Sequence, residues 1–176
     1  MTDQFFDVAL CTIDSPVGTL LAAATPRALA ALEFTDADHL DARREDLCRR
    51  FAAHADASQP LLLQLCRELD EYFAGRRRRF ELPLDYSGTQ FQRNVWQLLL
   101  QIPYGETWSY RDMAQRLGDL KAVRAVGGAN GANPIAIVIP CHRVINANGD
   151  LGGYGGGSWR KQLLLDLECG QQRLGL

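Results

Sequence analysis

The chain has 176 residues, 47% of them hydrophobic and 23% charged, with a formal net charge of −2. Those proportions belong to a soluble globular protein of one large or two small domains. No run of 18 apolar residues marks a membrane span, and the acidic start MTDQFFDVAL lacks the basic segment of a secretory signal. The five cysteines, Cys11, Cys48, Cys66, Cys141 and Cys169, are odd in number and widely spaced, with no C-x-x-C. They read as reduced thiols of a cytoplasmic protein, without a disulfide framework or a structural metal. The charge is uneven. Residues 1–87 carry 10 Lys/Arg against 15 Asp/Glu, and residues 88–176 carry 9 against 6, with 14 of the 16 glycines. Two compositions predict two domains, 1–87 and 88–176, and a polyanion would meet the second.

In chain order, Phe5 to Ile13 alternates loosely and ends in the turn Ser15-Pro16-Val17-Gly18. Thr19 to Ala24 is the return strand, and Ala28 to Phe34 a third, which predicts an antiparallel meander. Asp38 to Ala53 has helical spacing with Leu40, Leu47 and Phe51 on one face. Leu61 to Phe73 is a second helix, stopped by Gly75. Arg76 to Arg79 is either a polyanion site or a solvated loop. Nothing here has catalytic spacing, so the first half reads as an α+β support domain.

The second half reads as mainly helical. Thr89 and Gln92 form a capping box before a helix carrying Phe91, Val95, Trp96, Leu98 and Leu99. Ser109 caps Tyr110 to Leu117, and Gly118 stops it. Lys121 to Asn130 is a small-sided helix, so the pair is a helix-turn-helix or an ordinary helical hairpin. As a helix-turn-helix, it would set Lys121 and Arg124 toward the major groove. Ile135 to Ile139 is a buried strand or a tight apolar segment, ended by Pro140. Cys141 and His142 follow side by side. They are a nucleophile and base, or a core cysteine beside a histidine. Asn146 to Asp150 is a turn. Gly152-Gly153-Tyr154-Gly155-Gly156-Gly157 is a loop that can approach a flat ligand closely, and it lacks the phosphate-loop pattern. Ser158 caps a last helix to Glu168, whose carboxylate could return to His142.

Phe91-Gln92-x-x-Val95-Trp96, Ile102-Pro103-Tyr104-Gly105, Ser109-Tyr110, Arg124-Ala125-Val126-Gly127, Asn133-Pro134 and Pro140-Cys141-His142-Arg143-Val144 occur in that order, followed by Gly153-Tyr154 and the helix to Glu168. Together they resemble the O6-alkylguanine-DNA alkyltransferase family across about residues 88–168. The first half resembles that family's variable N-terminal domain more loosely.

The resemblance implies direct-reversal DNA repair, with an alkyl group moved irreversibly from guanine O6, or thymine O4, to Cys141. It makes His142 the base acting through water, Glu168 the group that orients it, Tyr110 the phenol that protonates guanine N3, and Asn133 the tie beneath the cysteine. Val144, Tyr154, Gly155, Gly156 and Trp96 would line the base pocket. Arg124 would enter the stack when the base flips, while Lys121, Ala125, Gly127 and Tyr110 would meet DNA. The implied partner is double-stranded DNA held by its minor groove, which replaces the major-groove expectation. The protein would act as a monomer without a cofactor. Three other functions compete: a lesion binder without chemistry, which Cys141 disfavours, a helix-turn-helix regulator, which the poor base-reading side chains disfavour, and a turnover cysteine hydrolase, which would use the same Cys141, His142 and Glu168 and would need donors aimed at an oxyanion. The run Gly155-Gly156-Gly157 departs from the family pattern and predicts a looser pocket wall.

Overall fold

A computed structural model describes residues 7–37, 40–50 and 52–170. The chain forms two compact units, Met1–Tyr86 and Ser87–Leu176.

The first unit is a sheet with helices. Strands β1 (Asp7–Ile13), β2 (Leu20–Ala24) and β3 (Leu29–Phe34) form the expected meander. Residues of β2 and β3 are buried along their whole length, because side chains cover both sheet faces. Helix α1 (Leu40–Arg50) is shorter than expected. It is followed by β4 (Ala52–Ala55), which pairs parallel with β1, so the sheet order is β3-β2-β1-β4. The expected helix to Ala53 is thus corrected. Ala52-Ala53-His54-Ala55 has no strand signature of its own, and the pairing comes from the free edge of β1. Asp38 and Phe51, which the sequence placed in that helix, lie outside the described residues, as do Phe5 and the side chain of Leu47.

Helix α2 (Pro60–Phe73) starts where Gln59 accepts from the Leu62 amide at 2.9 Å. It buries Leu62, Leu65, Leu69 and Tyr72 as one stripe. Within the arginine run, Arg77 Nε donates to Glu71 at 2.7 Å, while Arg76, Arg78 and Arg79 are exposed. The run is a loop that the Arg77 side chain and the amides of Arg76 and Arg77 pin to Glu71 of α2.

The second unit is built from α3 (Gln90–Leu99), α4 (Tyr110–Arg116), α5 (Val123–Gly131) and α6 (Ser158–Glu168). The Thr89 and Ser109 caps form as the sequence predicts, each as a reciprocal capping box. Lys121 lies in a short 3₁₀ turn, Leu120–Ala122, before α5 rather than inside it. Ser158 is the first residue of α6 and not its cap, because Gly157 takes the N-cap place at φ 88°. Two short strands were not expected. β5 (Trp108–Ser109) pairs parallel with β6 (Val144–Ile145).

The segment Ile135–Ile139 is not a strand. It is a series of tight turns, with Val138 N bonded to Ala136 O, Ile139 N to Ile135 O, and Cys141 N to Ile139 O, at 2.8, 3.0 and 2.8 Å. Ile137 sits at φ 71°, a conformation that strongly disfavours a β-branched residue. Complete burial of Ile135, Ile137 and Ile139 holds it there.

Candidate functional site

The apolar turn delivers the chain into a 3₁₀ turn, Cys141–Arg143. Cys141 is buried, with 5% of its surface exposed. Asn133 Nδ2 donates to Cys141 Sγ at 3.0 Å and to Ile139 O at 2.8 Å, while Asn133 Oδ1 accepts from Ile135 N at 3.0 Å. One amide therefore closes the turn and also touches the sulfur, as a tie beneath the cysteine would.

His142 is fully buried, and its Nε2 lies 2.8 Å from Glu168 Oε1. A carboxylate only accepts, so that nitrogen carries the hydrogen and Nδ1 keeps its lone pair. Nδ1 has no hydrogen-bond partner among the described residues. Burial holds the imidazole below its ordinary 6.5. Glu168 opposes this, while the charges of Arg143 and Lys161 reinforce it. His142 is therefore neutral at pH 7 and able to take a proton.

Glu168, the last residue of α6, accepts from His142 Nε2, from Arg143 Nε at 2.8 Å and Nη2 at 3.0 Å, and from Gly105 N at 3.1 Å. Burial alone would raise this carboxyl, but the hydrogen bonds and charges of His142 and Arg143 hold it well below the usual carboxylate range. Arg143 also donates to Ile102 O at 2.7 Å. Gly105, at φ 80°, sits where a Cβ would come within 3.1 Å of Glu168 O. The Ile102-Pro103-Tyr104-Gly105 motif thus grips the end of α6 and fixes the carboxylate beneath the imidazole.

The β5–β6 pairing sets Ser109 against Ile145, so Tyr110 starts α4 beside the cysteine turn. Its hydroxyl donates to Gly153 O at 3.4 Å. Burial, followed by the charge of Cys141, pushes the phenol above its ordinary 10. It stays protonated at neutral pH. A cavity of about 440 Å³ opens here, lined by Tyr110, Arg124, Gly127, Asn130, Tyr154 and Gly155 among others. Arg124 is exposed on its rim, and Lys121 and Ala125 are exposed nearby in sequence.

Three expected pocket residues do not line this cavity. Trp96 is a core residue, 1% exposed, whose Nε1 donates to Ala129 O at 2.8 Å and braces α5 against α3. Val144 and Gly156 are buried and are not among the residues that line the cavity. Gly156 O instead accepts from Arg160 at 2.7 Å, and Arg160 also lies over the exposed Trp159 ring at 4.6 Å.

The sequence reading missed Arg143 as the second partner of Glu168, and it missed Lys161. Lys161 is fully buried. Its Nζ donates to the carbonyls of Leu151 and Gly153 and lies 5.7 Å from the Tyr110 ring centre. Burial lowers it to about 8, against the opposing pull of Cys141. Lys161, Leu164 and Glu168 share one helical face, and that spacing is the signal that could have found it.

The second unit matches the family described as 6-O-methylguanine DNA methyltransferase, DNA binding domain, over residues 90–170. The first matches that family's ribonuclease-like domain over residues 10–86. A methylated-DNA–protein-cysteine methyltransferase of Mycobacterium leprae is 47% identical over 157 residues, spanning 89% of this chain and 90% of its own. One from Methanosarcina barkeri is 41% identical, spanning 94% and 97%. The crystal structure of Mycobacterium tuberculosis OGT in complex with DNA superposes with a TM-score of 0.81 at 43% identity, covering 94% of each chain. With both units matched in order and relatives this similar over nearly the whole length, the chain belongs to the 6-O-methylguanine DNA methyltransferase family.

Proposed function

We propose that the protein repairs alkylated DNA by moving an alkyl group from O6-alkylguanine, and from O4-alkylthymine, irreversibly onto Cys141. The observation that carries this reading is the pairing of Cys141, tied by Asn133 at 3.0 Å, with a neutral His142 whose tautomer Glu168 fixes at 2.8 Å. Nδ1 of His142 takes the thiol proton through a water molecule, and the thiolate attacks the alkyl carbon. As the S–C bond forms, the C–O6 bond breaks and its electron pair enters the guanine ring. Tyr110 supplies a proton at N3, so a neutral base leaves. The thioether has no route back to a thiol, which makes each molecule good for a single transfer.

The alkylated atom is inaccessible in a stacked duplex, so the nucleotide must turn out into the cavity. The exposed face of α5 carries Arg124, Ala125 and Gly128 and has little base-reading capacity. It suits close approach to a minor groove of any sequence, with the protein acting as a monomer. Arg124, on the cavity rim, is the side chain that fills the vacated stack.

Mass spectrometry of the intact protein, after incubation with a duplex carrying O6-methylguanine, tests this directly. One added methyl on Cys141, at most one per molecule, with guanine restored, is expected. Repeated turnover would show a hydrolase instead, and unmodified protein bound to the lesion would show a binder without chemistry. Arg124→Ala is expected to slow repair of duplex DNA by roughly 10–100-fold, the cost of leaving a few kcal/mol of unstacking uncompensated. It should leave reaction with the free base O6-benzylguanine within about twofold. Equal losses on both substrates would remove Arg124 from the flipping role.

A further inference from the structure

Asn130 is buried, lines the cavity and takes no part in the chemistry above. It lies one turn after Gly127 on α5. At Gly127 the helix faces the Tyr110 ring, since a Cβ there would be 4.0 Å from Tyr110 Cε1. Asn130 Nδ2 donates to the Cys141 carbonyl at 3.2 Å. Its Oδ1 is buried and has no hydrogen-bond partner among the described residues. The amide cannot be reversed, because two carbonyl oxygens would then face each other. A buried acceptor without a partner costs stability, so an apolar side chain of similar volume would serve the fold at least as well. The amide nitrogen is the part of this side chain that the site uses.

We propose that Asn130 is a positioning residue for Tyr110: one amide hydrogen is held on the Cys141 carbonyl, and the other is directed at the phenol oxygen, which turns the phenol proton toward the flipped base. This rests on the alkyl-transfer reading given above. The hydrogen bond from Asn130 acts against burial and the charge of Cys141, both of which hold the phenol's acidity down. It also suits the moment of transfer. When Tyr110 gives its proton to guanine N3, the oxygen left behind is negative, and the same amide hydrogen stabilises it. The side chain also couples the two ends of the reaction, because the carbonyl it holds belongs to the nucleophile's own residue.

The test compares single-turnover methyl transfer rates in a double-mutant cycle. Asn130→Leu is expected to slow transfer from O6-methylguanine in duplex DNA about tenfold, as one lost hydrogen bond to a developing charge would. In a Tyr110→Phe background the same change should cost less than about twofold. It should also cost less than about twofold on O6-methyl-3-deazaguanine, which has carbon in place of N3 and takes no proton from Tyr110. If Asn130→Leu slows all three reactions by one factor, or slows none, the proposal is overturned. Asn130→Ser, too short to reach both partners, is judged by the same factors if the leucine variant does not fold. Absence of transfer by the wild-type protein would overturn the alkyl-transfer reading instead, so the two failures are distinct.

Discussion

Glu168→Ala is expected to destabilise the protein by about 3–5 kcal/mol, the usual cost of breaking one side of a buried ion pair. For a chain of this size that is a fall in melting temperature of roughly 6–20 °C. The carboxylate is the common acceptor of His142, Arg143 and Gly105. Removing it leaves the Arg143 guanidinium, 8% exposed, with one carbonyl partner, Ile102 O, and no counter-charge among the described residues. It also leaves the imidazole free to change tautomer and tilt. The alkyl transfer rate should fall about a hundredfold or more, as when a general base loses its orientation. Thermal denaturation and single-turnover kinetics check both effects. A variant that melts and reacts like the wild type would show that the carboxylate is a bystander.

The same cluster sets an acid limit on the wild-type protein. Folded His142 is held below its ordinary 6.5, so the unfolded chain binds that proton first as the pH falls. Stability should therefore decline from about pH 6.5 downward. Glu168 adds a second loss below its ordinary 4.5, where the unfolded chain protonates its carboxyl and the folded protein resists.

Cys141→Ser is expected to abolish transfer, by a factor on the order of 10⁴ or more, while leaving the fold and DNA affinity nearly unchanged. A hydroxyl can still accept from Asn133 Nδ2, so the turn stays closed. It remains protonated at neutral pH, where a thiol with an ordinary pKa near 8.5 already ionises in part, and it is a far weaker nucleophile toward carbon. Fluorescence anisotropy with lesion DNA should show binding, and the intact mass should stay unmodified. A methyl group found on this variant would place the acceptor on another residue. Cys11 is a poor alternative, because burial and the neighbouring Cys66 push its thiol up to about 11.

Much of the second unit was legible because its signals are local. The Thr89 and Ser109 caps, the Gly118 stop and the turn from Asn146 to Asp150 each act within a few residues, and each is observed. The first unit was less legible at β4. Small residues there carry no periodicity, and only the parallel partner in β1 makes them a strand. The turns at Ile135–Ile139 have the composition of a strand, and the positive φ of Ile137 is imposed by packing. In the candidate site, Cys141, His142 and Glu168 could be named in advance from their motifs. Asn130 could not, and Lys161 only through its helical spacing from Leu164 and Glu168. A lysine and an asparagine on helices read as surface residues until tertiary structure buries them. Trp96 erred the other way. It stands in a motif of the family, but its ring spans α3 and α5 instead of facing the cavity.

The glycine loop has a consequence for how this protein can change over generations. Backbone forms the cavity wall at Gly153 and Gly155, and a wall with no side chains has no atoms to lose. Any single substitution there can only add bulk. At Gly153 a Cβ would meet nothing within 4 Å in the free protein, so such a change would fold and take space from the ligand. At Gly152 the φ of 69° and the nearby Tyr110 and Asn146 side chains oppose any replacement. Mutation at Gly153 and Gly155 therefore runs in one direction, toward a narrower cavity, and space once lost there returns only by restoring glycine.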